Sequence, residues 1–331
     1  MGTNSKDLRV GVVGVGTMGR HHVRIISEST EATLAGFHET DRARAKEFSS
    51  TYGCPAYESL DELLDNTDAV CVAAPTSLHA EIGEKCLASG VHLLMEKPLA
   101  HSLEAATRLV EKAHSAGVVL MAGHVERYNP AIRELIRLLE QRKEPVISVD
   151  TRRLAPFDGS RCLDVDVLYD LLIHDVDLVL EITDSTVVRV SAAGRPVFSG
   201  NTDVAYSRID FTNNASAVLC VGKCSPKKVR SINVSTRTRL YETDTLNNSL
   251  VVHVADRVPS TDPTVCFMRD LRVEEVPVPD HEPLKAELED FFTSVKESQQ
   301  PIVDGRRALK SMQAIDLIQR AIETGHDIYP D

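Results

Sequence analysis

The chain has 331 residues, more than one ordinary hydrophobic core accommodates, so two domains are expected. Apolar residues make up 42% and supply real cores, while 5% aromatics and the absence of Trp argue against a broad stacking surface for nucleic acid. A net charge of −12 disfavours non-specific binding to DNA or anionic membranes but still permits a local basic pocket for an anionic cofactor.

In chain order, "LRVGVVGVG" is a nearly continuous apolar run, as expected of a strand covered on both faces. "TMGRHHVRIISES" follows with helical spacing that lets Met18, His22, Ile25 and Ile26 share a face. "ATLAGFHE" reads as a second strand, and "TDRARAKEFSSTYG" as a helix with a Thr/Asp cap and a stop at Gly53. The alternation continues through helix "SLDELLDN", strand "DAVCVAAP", helix "SLHAEIGEKCLASG" and strand "VHLLMEKP". Helix "SLEAATRLVEKAHSAG" and strand "VVLMAG" complete the series. Repeated β–α units of this length predict a mostly parallel sheet with helices on both faces.

The rhythm changes after Gly123, which places the domain boundary there: residues 1–123, then 124–331. "NPAIRELIRLLEQR" starts with the cap-then-proline arrangement at Asn129 and Pro130. "EPVISVDTRR" is strand-like, and "LDVDVLYDLLIHDVDLVLEIT" reads as one long apolar-striped helix. From Val187 to Val276 seven strand-like segments follow, separated by polar turns such as "TNN" and "TLNN". They predict an antiparallel meander or open mixed sheet. Two helices finish the chain, and the last is a candidate to pack back on the first domain.

The segment "VGVVGVGTMG" holds Gly14-x-Gly16-x-x-Gly19 between a strand and a helix, the context that gives this motif meaning. Gly14 permits the tight turn. Gly16 lets the backbone approach a pyrophosphate, and Gly19 allows close helix–strand packing. The loop therefore predicts a dinucleotide-binding Rossmann unit, with Thr17 and Met18 inside the cofactor turn. Glu39 ends the second strand twenty residues after Gly19, where an acidic side chain takes the ribose hydroxyls of NAD and repels the 2′-phosphate of NADP. Arg42 and Arg44 are the residues that would favour NADP instead.

Three segments are candidates for chemistry. Glu96 and Lys97 end an apolar strand at its carboxyl end, where open α/β sheets bind ligands. There a lysine can hydrogen-bond a substrate hydroxyl and hold a developing alkoxide. Alternatively, Lys97-Pro98 is only a solvated turn. Asp170 and His174 lie four apart on one helix face, with Asp177 a turn further. Imidazole titrates near neutrality, so His174 can take a proton, unless it is a satisfied core histidine. "GHVERYNP" contributes His124, Glu126, Arg127, Tyr128 and Asn129 as pocket wall, Asn129 being equally a helix cap.

Seven cysteines at irregular spacing read as buried thiols in a reducing compartment. Cys220 and Cys224 have no second cysteine pair or nearby histidine, so no metal site is expected. "MGTNSKDLRV" has no apolar stretch of signal length, and Ser5 falls one position short of the myristoylation pattern. A cytoplasmic protein is expected, with no membrane or nucleic-acid partner.

These segments resemble the glucose–fructose oxidoreductase, inositol dehydrogenase and rhizopine-catabolism (Gfo/Idh/MocA) family nearly end to end. The resemblance rests on "GVVGVGTMGRHH", "AAPTSLHAEI", "GVHLLMEKPLA", "GHVERYNPAI", the Asp170–His174 helix and "EPLKAELEDFF". It implies a Rossmann domain followed by an α/β domain with a large, open, mainly antiparallel sheet that pairs subunits into homodimers or homotetramers. It also implies NAD-linked hydride transfer at a sugar, nucleotide-sugar or cyclitol carbon, with Lys97, Asp170 and His174 as catalytic residues. Ala74, Pro75, Thr76 and His79 would flank the nicotinamide side together with Glu96 and Lys97. His124, Arg127 and Tyr128 would contact substrate, and Pro98 matches a proline commonly cis in the family. Within the family, "GHVERYNPA" resembles members linked to nucleotide-bound amino sugars. Two features depart from the pattern. "LDVDVLYDLLIHD" replaces a glycine-rich stretch, and "CVGKCSPKKVR" stands where many members carry Ala-Ser-Arg, with Lys223 as the candidate replacement. The alternatives are an NADP-dependent reductase, a sugar enzyme that recycles its cofactor, and a non-catalytic dinucleotide sensor.

Overall fold

A computed structural model describes residues 8–157, 166–255 and 271–330. They form two compact units, the first from residues 8–125 and 282–310 and the second from 126–157, 166–255, 271–281 and 311–330.

The first unit contains β1 (Leu8–Val13), α1 (Gly19–Glu28), β2 (Ala32–His38), α2 (Arg42–Tyr52), β3 (Ala56–Tyr57) and α3 (Leu60–Asp65). It continues with β4 (Ala69–Val72), α4 (His79–Ala88), β5 (His92–Glu96), α5 (Leu103–Ala116) and β6 (Leu120–Gly123). The six strands form one parallel sheet in the order β3-β2-β1-β4-β5-β6. Every residue of β4 and β6 is buried, which is why these segments are unbroken apolar runs rather than alternating ones. The strand order reverses between β1 and β4, and ligands of such sheets bind at that switch. Helix ends follow the local chemistry. Asp41 accepts from the Ala43 and Arg44 amides to start α2, and Gly53 ends it at φ 63°.

The second unit opens with α6 (Pro130–Arg142) and β7 (Ser148–Leu154). Next come α7 (Ile173–Thr183), β8 (Val187–Arg195), β9 (Val204–Phe211), β10 (Ser216–Gly222) and β11 (Val229–Ser235). β12 (Arg239–Asp244), β13 (Ser249–Ala255) and β14 (Leu271–Val276) complete its sheet. The order is β14-β13-β12-β11-β7-β10-β9-β8, antiparallel throughout except for the β7–β10 pair. Burial alternates along β9 and β10, so one face is covered and the other open. On the covered face α7 packs against β7 and β10, and α6 against β12 and β13. Tyr206 and Val218 stand exposed on the open face. The chain ends with α8 (Pro283–Glu297), in the first unit, and α9 (Gly305–Thr324), whose residues divide between the two.

Two expectations need correction. The long helix is not uniformly α: Leu168–Leu172 form a π-turn, and the α-helix begins at Ile173. Its first residues, 163–165, lie outside the described residues. A π-turn opens one backbone ring by a residue, a device that often marks functional positions. The cysteines are also not uniformly buried. Cys54, Cys71 and Cys86 are, and burial pushes the Cys86 thiol up to about 12, but Cys220 is half-buried and Cys224 exposed. Cys220 lies on the open face of β10, opposite Tyr206, and Cys224 lies in the loop after the strand. Cys162 and Cys266 lie outside the described residues. No described helix is long and apolar enough to cross a membrane.

Candidate active site

The glycine loop sits at the carboxyl end of β1, at the switch point. Gly14 has φ +83°, and a Cβ there would come within 3.0 Å of the Ala73 carbonyl. A Cβ on Gly19 would lie 1.8 Å from the Gly14 carbonyl, so the start of α1 presses directly on the loop. Gly16 differs: a Cβ there would meet nothing within 4 Å, so its surface is left open to a ligand. α1 has no side-chain cap, and Thr17 and Met18 form the turn leading into it. Uncapped amide hydrogens at a helix start suit a phosphate group.

Glu39 follows β2 directly and faces this loop. Its Oε2 accepts from the Val15 amide at 3.0 Å and from Arg44 Nη1 at 3.2 Å, and its Oε1 accepts from the Asp41 amide at 2.9 Å. Burial pushes its pKa up, but the Asp41 and Val15 amides and Arg44 outweigh that and hold it below the ordinary carboxylate value. Glu39 is therefore an anion pinned beside the glycine turn. The open Gly16, the uncapped helix start and this carboxylate together fit a dinucleotide.

Glu96 and Lys97 end β5, and the Lys97–Pro98 peptide is cis. His79, expected beside the nicotinamide, is buried. Its ring nitrogens face the Pro98 carbonyl at 2.8 Å and the Ala74 carbonyl at 2.9 Å. Burial lowers its pKa, while both carbonyls act in the opposite sense. His79 braces the Ala74–Pro75–Thr76 segment against the turn after Lys97 rather than presenting itself to a ligand. Ala74 and Pro75 themselves lie just past the end of β4, next to the glycine loop.

Beneath Lys97 lies a polar cluster not anticipated from the sequence. Buried His22 of α1 meets Glu96 Oε1 at 2.9 Å. Glu287 of α8 is fully buried, and neither of its carboxyl oxygens has a hydrogen-bond partner. Burial, then the nearby charges of Glu96 and Asp290, push its pKa far above the ordinary carboxylate value. The signal was present in "LKAELEDFF": Glu287 falls on the same helical stripe as Leu284, Leu288 and Phe291, where an apolar residue is the rule. The sign of the pH effect follows. Above the ordinary carboxylate pKa the unfolded chain loses a proton that folded Glu287 keeps, so stability falls as pH rises toward the folded value. Glu287→Gln should flatten that alkaline loss. Thermal midpoints across pH 6 to 9 (on the order of this range) test it, and equal declines in both proteins would contradict a protonated Glu287.

In the second unit, Asp170 lies in the π-turn and its Oδ2 is 3.1 Å from Lys223 Nζ. Lys223 thus neutralises the candidate substrate-holding carboxylate. Half-buried His174 follows in the first turn of α7. Behind them run two buried charge chains. Arg153 reaches Asp175 at 2.6 Å and Glu126 at 2.9 Å. Arg127 reaches Asp177 at 2.5 Å and Glu181 at 2.7 Å, and Ser311 donates to Asp177 at 3.0 Å. Arg127, expected to contact substrate, is only 3% exposed and its guanidinium lies against Asp177 and Glu181. Tyr128 and His124 are likewise buried. Asn129 is a helix cap, its Oδ1 accepting from the Ala131 amide at 3.0 Å. Sequence spacing cannot reveal that Asp177 turns inward, because α7 is buried on nearly every side and polar residues are spread around it. Among the described residues, no group of three or more His, Cys, Asp or Glu is arranged to hold a metal ion.

A parallel dinucleotide-binding sheet carrying Gly14, Gly16, Gly19 and Glu39, with a second unit built on a large mixed sheet, defines an NAD(P)-dependent oxidoreductase. Residues 8–124 match the family described as "Oxidoreductase family, NAD-binding Rossmann fold". The chain is 33% identical over 316 residues to the UDP-N-acetylglucosamine 3-dehydrogenase of Acidithiobacillus ferrooxidans, covering 96% of this chain and 97% of that one. It therefore belongs to the Gfo/Idh/MocA oxidoreductase family. A D-xylose 1-dehydrogenase (NADP(+)) of Haloferax volcanii is 28% identical, with 95% of this chain and 97% of that one covered. Among solved structures, a UDP-N-acetylglucosamine 3-dehydrogenase from Acidithiobacillus ferrooxidans superposes with a TM-score of 0.87 at 31% identity, covering 96% and 98% of the two chains.

Proposed function

We propose that the protein is an NAD-dependent dehydrogenase of a nucleotide-linked N-acetylamino sugar, oxidising a ring hydroxyl, with the C3 hydroxyl of UDP-N-acetylglucosamine as the first candidate. The observation that carries this is the end-to-end similarity to the Acidithiobacillus ferrooxidans enzyme, at 33% identity over 96% of this chain. The bound nicotinamide would supply the hydride acceptor. His174 takes the hydroxyl proton as the C–H hydride leaves, which balances the reaction as alcohol to ketone. Lys97 donates a hydrogen bond to the oxygen as negative charge develops there. Asp170, its charge balanced by Lys223, holds a neighbouring substrate hydroxyl. In the reverse direction His174 returns the proton to a ketone.

NAD rather than NADP is favoured by the anionic Glu39 beside the glycine loop. NADH should bind at least tenfold more tightly than NADPH, since one missing charge-assisted contact is worth about 1.5–3 kcal/mol. A tighter constant for NADPH by fluorescence titration would overturn the preference. The open face of the second sheet, with Tyr206 and Val218 exposed, is the surface expected to pair copies into a homodimer or homotetramer. For the substrate, UDP-N-acetylglucosamine, free N-acetylglucosamine, hexoses and inositols are to be compared by NADH absorbance, with the product identified by mass spectrometry. Turnover of inositol or a free hexose without turnover of the nucleotide sugar would defeat the proposed substrate while leaving the dehydrogenase class intact.

A further inference from the structure

We propose that the end of the second unit formed by Phe157, Phe198 and the loop from Lys223 to Lys228 is a nucleoside-diphosphate subsite, the rings receiving the base and Lys227 and Lys228 the diphosphate. The proposal deepens the nucleotide-sugar reading above and rests on it for the identity of the attached sugar.

The charge argument starts from the sequence. "KCSPKKVR", residues 223–230, carries Lys223, Lys227, Lys228 and Arg230 with no acidic residue, in a chain of net charge −12. Lys223 is neutralised by Asp170. Lys227 and Lys228 are exposed, and among the described residues neither side chain makes an ion pair or hydrogen bond. Arg230 stands opposite Arg153 in the register of β11 on β7, where Glu126 and Asp175 offset the two guanidinium charges, so the unbalanced charge of the loop is that of Lys227 and Lys228. Positive charge left unbalanced on an acidic protein calls for an anionic ligand.

The aromatic argument is independent. Phe157 and Phe198 are 37% and 54% exposed, yet they pack on each other with centroids 4.5 Å apart and planes tilted by 34°. Phe198 sits on a turn held in place by Asp203, whose Oδ2 accepts from the amides of Val197, Phe198 and Ser199 at 2.7, 2.6 and 2.8 Å. Rings kept at the surface by a fixed backbone offer a π-face that a base can cover.

Backbone bonds bring these parts together. The Ala155 amide donates to the Gly222 carbonyl at 2.9 Å, and the Ser225 amide to the Ala155 carbonyl at 3.2 Å, so the basic loop runs beside the segment that ends in Phe157. The Lys223 amide donates to the Asp203 carbonyl at 2.9 Å, which ties the loop to the turn of Phe198. Lys223 then reaches Asp170, the carboxylate assigned to the sugar. Rings, lysines and carboxylate are thus carried on segments bonded to one another at one end of the unit. Two rings on a strongly acidic chain suit a mononucleotide better than a nucleic-acid strand.

The test is calorimetric titration of UDP into the full chain saturated with NADH, so that the dinucleotide site is filled. The Lys227→Ser/Lys228→Ser double variant and Phe198→Ala should each weaken UDP about tenfold, with the thermal midpoint and NADH affinity unchanged. Inorganic pyrophosphate should lose affinity in the lysine variant alone. Equal UDP affinity in all three proteins, no UDP binding, or tighter binding of an oligouridylate than of UDP would each overturn the subsite. Turnover separates this from the parent reading. UDP-N-acetylglucosamine oxidised with an unchanged KM in both variants removes the subsite and keeps the function. Variant-sensitive UDP binding without oxidation of that sugar keeps the subsite and removes the assigned substrate.

Discussion

His174→Ala is expected to lower kcat by about 10²–10⁴-fold, the usual contribution of a positioned acid/base, with NADH binding preserved. Lys97→Met should lower kcat by about 10²–10³-fold, because the developing oxygen charge loses its donor. The two variants should differ in pH behaviour. Loss of the base removes the acidic limb of the kcat profile, whereas loss of Lys97 leaves that limb in place. Steady-state kinetics across pH, with NADH titrations as a control, decide the matter. If both variants retain full kcat, the proposed chemistry lies elsewhere in the chain.

A comparably large effect on stability is expected from Arg127→Ala. Arg127 and Asp177 are 3% and 1% exposed and make a two-point contact, extended by Glu181 and Ser311. Burial disfavours the guanidinium charge, and Asp177 and Glu181 more than compensate, so its pKa is raised. Removing the cation leaves Asp177 as a buried charge with one of its main partners gone, at a cost of about 3–5 kcal/mol. Arg127→Ala/Asp177→Ala should recover part of that loss, because no charge is then stranded. Urea denaturation of the single and double variants measures both. A double variant less stable than either single one would show that packing, not charge, dominates there.

How much of this was legible in advance depended on the kind of signal. The first sheet was readable because a parallel strand buried on both faces is written as an unbroken apolar run, as in "AVCV" of β4, closed by glycine and proline. The steric need for Gly14 and Gly19 was readable because a Cβ at either would strike backbone, at the Ala73 and Gly14 carbonyls. The π-turn was not. Its residues, "LYDLL", are ordinary helix formers, and the extra residue per ring is imposed by surroundings rather than propensity. The inward aim of Arg127 and the bracing role of His79 were equally hidden. Whether a polar side chain faces a ligand or a buried partner depends on contacts distant in sequence, such as Arg127 with Asp177 or His79 with Pro98. Lys223 shows the same in reverse: a basic residue in a loop between strands gives no hint that it meets a carboxylate on a helix fifty-three positions earlier.

Glu39 accepts from the Val15 amide as well as standing where a ribose would bind. If Glu39 sets the preference for NAD as proposed, one carboxylate has two duties, choosing the cofactor and holding the Val15 turn. Exchanging it for a small neutral residue to admit a phosphorylated ribose would also release the turn. A switch of cofactor preference in this scaffold accordingly calls for a paired change, a new acceptor for the Val15 amide alongside a new cation for the phosphate. Along a mutational path, the intermediate with only one of the two changes should bind either dinucleotide poorly.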